Sequence, residues 1–157
     1  MNASLNLHFH KDDLSGPDIR ALLEAHLAMM RALSPPESIH ALDLEGLRRP
    51  EITFWTVWEG QGLVGCGALK RLSATEGEIK SMHTAAAHRG RGIAEALLIH
   101  ILGEAKTRRL SRLSLETGSQ PGFEAARRLY AKHGFAVCGP FGNYQDDPNS
   151  VFMTRKL

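Results

Sequence analysis

Cysteine is scarce in this sequence, with only Cys66 and Cys138 among 157 residues. Each sits in an apolar run, LVGCGAL and FAVCGPF. Both therefore read as small buried hydrophobes rather than as a disulfide, and a cytoplasmic protein is expected. Long apolar runs are missing too. Nothing approaches the ~20 residues that cross a bilayer, and the start MNASLNLHFHKDDL lacks the basic stretch and apolar core of a signal peptide. Charge of one sign is not in excess. Nineteen Lys and Arg against seventeen Asp and Glu leave +2 with His neutral, too little to argue for nucleic acid or an anionic membrane. Arg89, Arg91, Arg108, Arg109 and Arg112 form no aromatic-basic stacking strip. The eight histidines show no metal spacing, and the alternating pair His8 and His10 makes no site by itself, so no metal is expected. Repeats and low-complexity tracts are absent. What remains is 43% hydrophobic and 23% charged residues in a length that fits one domain, 1–157, around one core.

The chain alternates between two periodicities. Leu5 to Phe9 reads as a first strand. Leu14 to Ala32 is helical, with Ile19, Leu22, Leu23, His26, Leu27 and Met30 on one face, and Ser34-Pro35-Pro36 breaks it. Ser38 to Leu47 reads as a second short helix. Thr53 to Glu59, Leu63 to Lys70 and Glu78 to Thr84 are strands, the first two joined by a turn at Gly60-Gln61-Gly62. Ile93, Leu97, Ile101 and Ala105 recur every four residues in the best-patterned helix. Leu113 to Thr117 is a strand, and Pro121 to His133 a helix that stops at Gly134. Phe135 to Cys138 and Ser150 to Lys156 are final strands around a Gly/Pro/Asp-rich loop. A run of strands followed by alternation with helices predicts a mixed α/β sheet covered on both faces.

The segment Arg89-Gly90-Arg91-Gly92-Ile93-Ala94 lies between a strand and the long helix. A helix start exposes unpaired N–H groups and partial positive charge, and glycine lets that backbone approach a ligand. The combination suits a pyrophosphate. It has neither the ending of a Walker loop nor the GxGxxG spacing, so it also reads as a plain turn with solvated arginines.

Arg89-x-x-Gly92-x-Ala94 resembles the Gln/Arg-x-x-Gly-x-Gly/Ala signature of the GNAT acetyltransferases. Glu78-Ile79-Lys80-Ser81-Met82-His83-Thr84 is similar to their fourth strand. Leu129-Tyr130-Ala131-Lys132-His133-Gly134-Phe135 is similar to their LYxxxGF motif. The stretches ALDLEGL, LSLETGS, RRLY and CGPFGNYQDDPNSVFM resemble one bacterial branch of that superfamily, and the likeness spans the whole chain. It implies the GNAT fold, a mostly antiparallel central sheet of about seven strands with helices on both faces. One position departs from the pattern. Many relatives carry Asn seven residues before the helix tyrosine, where this chain has Phe123, so the coenzyme contact there would be weaker or of another kind.

The resemblance implies acetyl-CoA as co-substrate, transferring acetyl to an amine. The pyrophosphate would lie on the backbone of Arg91, Gly92, Ile93 and Ala94, with Arg89 and Gly90 beside it. The pantetheine arm would run along Met82, His83 and Thr84. The Met82 N–H would face the thioester oxygen, a role worth ~10²–10³ in rate. Glu78, eleven residues before Arg89, matches a catalytic glutamate of some members. It reads equally as a carboxylate paired with Lys80. The attacking amine needs such a base, because its reference pKa is ~10.4. Tyr130 would hydrogen-bond the departing thiolate. Full proton transfer from a phenol to it is uphill by ~2 kcal/mol, and the other reading of Tyr130 is ring packing. Two regions would shape the acceptor pocket, Ser34 to His40 and the loop Phe141 to Ser150. The loop carries Tyr144, Asp146 and Asp147, whose Asp-Asp-Pro-Asn run also reads as a turn. The expected partner is a small-molecule amine or peptide, without nucleic acid or membrane, and the resemblance allows a homodimer. The competing reading is a coenzyme A-binding sensor of the same fold that does no chemistry.

Overall fold

The computed structural model describes residues 6–40 and 43–157. Seven strands form one sheet in the order β1-β2-β3-β4-β5-β7-β6. They are β1 (Leu7–Lys11), β2 (Ile52–Glu59), β3 (Gly62–Arg71), β4 (Glu76–Thr84), β5 (Arg112–Gly118), β6 (Ala136–Cys138) and β7 (Ser150–Lys156). Every pairing is antiparallel except β4 with β5. That parallel pair is joined through the helix α3 (Ile93–Thr107), as a parallel connection requires.

The helices α1 (Pro17–Leu33) and α2 (Leu44–Leu47) cover one face, and α3 and α4 (Glu124–Lys132) the other. Pro17 opens α1, and Ile19, Leu22, Leu23 and His26 form its buried stripe. Under α3, Leu97, Leu98 and Ile101 are sealed from solvent, each worth ~1.5–3 kcal/mol of apolar transfer. The mixed α/β expectation therefore holds, with helices on both faces.

Several boundaries move for local reasons. Of the first strand, Leu5 lies outside the described residues, and pairing runs on to Lys11. The first helix starts later than Leu14. Asp12 captures the Leu14 N–H at 2.7 Å, and Leu14 takes φ +67°. The Ser38–Leu47 helix is replaced by a 3-10 turn at Pro36–Ser38 and the short α2. Asp43 accepts from the Gly46 N–H at 2.9 Å and so sets the helix start at Leu44. Residues 41 and 42 of that expectation lie outside the described residues. Pro121–Phe123 is likewise a 3-10 turn leading into α4.

One irregularity positions the site. Cys66 pairs with His83 and Ala68 with Lys80, so Gly67 alone faces both Ser81 and Met82. This is a β-bulge, with Ser81 at φ +57°. The extra residue resets the alternation of β4. Ile79 and Met82 pack on the α3 side, whereas Glu78, Lys80 and His83 share the α1 side. Gly67 allows it, since a Cβ there would lie 2.6 Å from Met82 Sδ.

Candidate active site

The parallel pairing of β4 with β5 ends at Ile79–Leu115, while β5 continues with β7 to Gly118. Beyond Ile79 the edge of β4 that faces β5 has no strand partner. A cavity of about 570 Å³ occupies the gap. Arg89, Gly90, Gly92, Ile93 and Ala94 line one end, and Met82, His83 and Thr84 line its middle. Phe123, Tyr130, Glu78 and Tyr144 lie along the rest.

The end at α3 is a bare helix start. Gly90 and Gly92 have φ +76° and +84°, a conformation that favours glycine. Gly92 is the N-cap, and no side chain caps the helix. The first-turn N–H groups are thus left to the cavity. The Arg91 side chain does not line it. Its guanidinium grips Glu59 at 2.8 and 3.0 Å and meets His88 Nδ1 at 2.9 Å. That hydrogen bond and charge hold Glu59 below the usual carboxylate range. Arg89 stays on the cavity wall, its guanidinium against Met29 Sδ at 3.4 Å.

Tyr130 is 6% exposed and packs edge-on to Phe135. Burial pushes its phenol well above the ordinary range. Among the described residues its hydroxyl has no hydrogen-bond partner. It is not sealed either, since His100 Nε2 is the single sealed, unpartnered side-chain atom among them. The hydroxyl is therefore a protonated donor open to the cavity. Phe123 also lines the cavity, but its ring lies over Gly118, where a Cβ would overlap it.

Glu78 is 3% exposed. Its Oε2 accepts from Tyr144 Oη at 2.6 Å and from Lys80 Nζ at 3.2 Å, and Lys80 also donates to Tyr144 Oη at 2.9 Å. Its Oε1 has no partner among the described residues and is not sealed. Burial, then the Glu78 charge and hydrogen bond, raise the Tyr144 phenol. His40 and Phe141 pack edge-on against its ring.

Two groups escaped the sequence reading. Glu116 lies on the cavity wall, and burial pushes its carboxyl up to about 7. Glu78 and Asp147 push the same way, against Ser150 and Lys80. Alternation in LSLET held the signal. Leu113 and Leu115 are buried on the α3 side, so Ser114 and Glu116 face the Glu78 side. The second group is His26, on α1, whose Nδ1 lies 3.2 Å from Nδ1 of His83. Burial drives both imidazoles down to about 4, and His26 and Arg89 depress His83 further. No short-range sequence pattern connects them.

Of the loop residues, Tyr144 reaches Glu78 and Asp146 is exposed. Asp147 accepts from Ser38 Oγ at 2.6 Å and from the Asn149 N–H at 2.8 Å. Those bonds keep its carboxyl below the usual range and tie the loop to the α1–α2 connection. A second cleft of about 930 Å³ opens beneath the loop, past Lys70, Asp146 and Asp147. It shares His40, Glu78, Lys80 and Tyr144 with the first. Two compartments thus meet at one carboxylate. Among the described residues no cluster of three or more metal-ligating side chains occurs, and no helix is long and apolar enough to cross a membrane.

The pattern of the Acetyltransferase (GNAT) family matches residues 19–135. An uncharacterized N-acetyltransferase of Bacillus subtilis is 57% identical over 151 residues, covering 96% of this chain and all of its own length. A protein of Azospirillum brasilense named IAA acetyltransferase is 43% identical over 127 residues, covering 80% of this chain and 81% of its own. Among solved structures, a GNAT family acetyltransferase from Elizabethkingia anophelis with acetyl-CoA bound superposes with a TM-score of 0.71. It covers 98% of this chain and all of its own, at 19% identity.

Proposed function

The chain belongs to the GNAT family of acetyltransferases, and from there we propose that it transfers acetyl from acetyl-CoA to a primary amine of a small molecule or peptide by direct attack on the thioester. Acetyl-CoA supplies an activated carbonyl and a thiolate leaving group. The observation that carries this reading is the first cavity. It runs from the uncapped start of α3, along the unpaired edge of β4, to Tyr130 and Glu78.

The parts fit that co-substrate. The backbone N–H groups of Arg91, Gly92, Ile93 and Ala94 offer donors to a pyrophosphate, with Gly90 giving room and Arg89 adding charge. Met82, His83 and Thr84 present a strand edge to the pantetheine arm. The Met82 N–H is the donor for the thioester oxygen. Glu78 Oε1 takes the proton from the amine, and Glu116, near 7, is a second acceptor within the same wall. Tyr130 donates a hydrogen bond to the sulfur as it leaves. Tyr144 closes the wall between the two compartments, and Phe123 packs where relatives contact coenzyme. Asp146 stands at the outer rim of the acceptor cleft. The same reading places the enzyme in the cytoplasm, where both cysteines stay free thiols, and admits a homodimer.

The test is free-thiol release from acetyl-CoA against a panel of amines, amino acids and peptides. Acceptor-dependent release is expected, and its absence from the whole panel rejects the proposal. Gly92→Leu should weaken acetyl-CoA binding at least tenfold, about 1.4 kcal/mol, in a variant that circular dichroism shows folded. Unchanged affinity by calorimetry removes the helix start from the site.

A further inference from the structure

Among the described residues the acceptor cleft holds one ammonium, that of Lys70, which no carboxylate engages. Lys80 is paired with Glu78 along β4. Lys70 stands directly opposite Glu78 across the β3–β4 ladder. On an antiparallel ladder such Cα pairs lie ~4.5–5.5 Å apart with their side chains on one face. Lys70 is half-buried and lines the outer cleft, yet among the described residues its side chain forms no hydrogen bond and no ion pair. The other charges around the cleft are committed or apart. Asp147 is held by Ser38 and Asn149. Arg71 donates to the Ser73 and Ala74 carbonyls. Glu51 and Asp146 line the same cleft, and neither pairs with Lys70. Glu116 faces the same side from β5, so Lys70 is the cation beside Glu78 that keeps its donors unused where the compartments join.

We propose that the acceptor carries a carboxylate beside its amine, as an amino acid does. Lys70 Nζ holds the carboxylate and Glu78 Oε1 receives the amine. This rests on the acetyl-transfer reading and names its substrate class. Three effects act together. The acceptor carboxylate gives the Lys70 ammonium the counter-charge it lacks. A charge-assisted hydrogen bond in a half-buried cleft fixes the orientation of the acceptor. Glu78 stands ready to take the amine proton, and only the neutral amine attacks. The reaction balances as ordinary acyl transfer. The amine nitrogen bonds to the acetyl carbonyl carbon and the C–S bond breaks. The amine proton leaves to Glu78, and coenzyme A departs as its thiolate and is then protonated. A bare cationic amine would meet Lys70 as a like charge.

The experiment compares matched pairs, each an amino acid and its decarboxylated amine, by kcat/KM on the full chain. The carboxylated member of the accepted pair should be preferred by about tenfold or more. Lys70→Met should bring that ratio toward one, chiefly through KM, and Lys70→Arg should retain it. The proposal is overturned if the decarboxylated amine is as good or better, or if Lys70→Met leaves the ratio unchanged. Thiol release with bare amines alone counts against this inference and leaves acetyl transfer standing. No release with either member of any pair, in a protein that binds acetyl-CoA, counts against both.

Discussion

Tyr130 and Tyr144 are both phenols raised by burial, and they differ in what their hydroxyls meet. Tyr144 is fixed between Lys80 and Glu78, whereas Tyr130 is free to donate into the cavity. Because burial raises the phenol and a phenol already holds its proton more tightly than a thiol, Tyr130 serves as a hydrogen-bond donor rather than a proton source. Tyr130→Phe keeps the ring on Phe135 and removes only that donor. Turnover should fall clearly, with acetyl-CoA affinity within about twofold of wild type. Single-turnover thiol release checks it, and an unchanged rate of that step would reduce Tyr130 to packing. Tyr130 and Glu78 were legible because short motifs carry them. Glu116 was not, because its role depends on which face of β5 it takes and how dry that face is. His26 depends on a contact 57 residues away in sequence.

At the scale of elements, most of the fold was written in periodicity. The long helix and the last strand fall where their apolar spacing puts them. The misread segment, Ser38–Leu47, lacked a sustained stripe, and a single side chain at Asp43 decided its start. The loop before β7 was read as either an acceptor contact or a turn, and its bonds add a third role. Ser38–Asp147 fastens it to the α1–α2 connection, while Tyr144 fastens it to β4. Asp147→Ala leaves Ser38, 3% exposed, without its acceptor. The expected cost is ~1–2 kcal/mol of stability, with a raised KM for the acceptor and little change for acetyl-CoA. Asp146→Asn, on an exposed side chain, should change stability by less than ~0.5 kcal/mol. Thermal melts and KM values on both variants separate fastening from charge attraction, since equal effects would contradict the fastening role.

Across the whole molecule, buried titratable groups set how acid weakens the fold. His26 and His83 ordinarily titrate at 6.5 and are held down to about 4. The unfolded chain thus binds more protons in that window. Their contribution is complete above pH 6.5 and is lost as pH falls toward 4. Glu116 acts in the opposite sense. Its carboxyl is raised from 4.5 to about 7, so its contribution is present below 4.5 and is lost as pH rises through 7. Urea unfolding between pH 4 and 8 should show stability rising from 4 to 6.5. Glu116→Gln should steepen that rise, and His26→Asn with His83→Asn should flatten it. A double variant with the wild-type slope would show that the two imidazoles are not held neutral.

The bulge at Ser81 and Met82 has a consequence for chain length. A strand has a two-residue frame, and β4 changes frame at that point. Deleting Ser81 would put Met82 directly after Lys80, so plain alternation would keep Glu78, Lys80 and His83 on the α1 side and Met82 on the α3 side. What would be lost is the extra residue and the bend it puts in the strand just past the point where β4 parts from β5. The sheet could still pair and the side chains would keep their faces, yet the edge of β4 would run on straight where it now bends beside the cavity. Counting residues here matters as much as naming them, since one residue fewer would straighten the strand without moving a side chain to its other face.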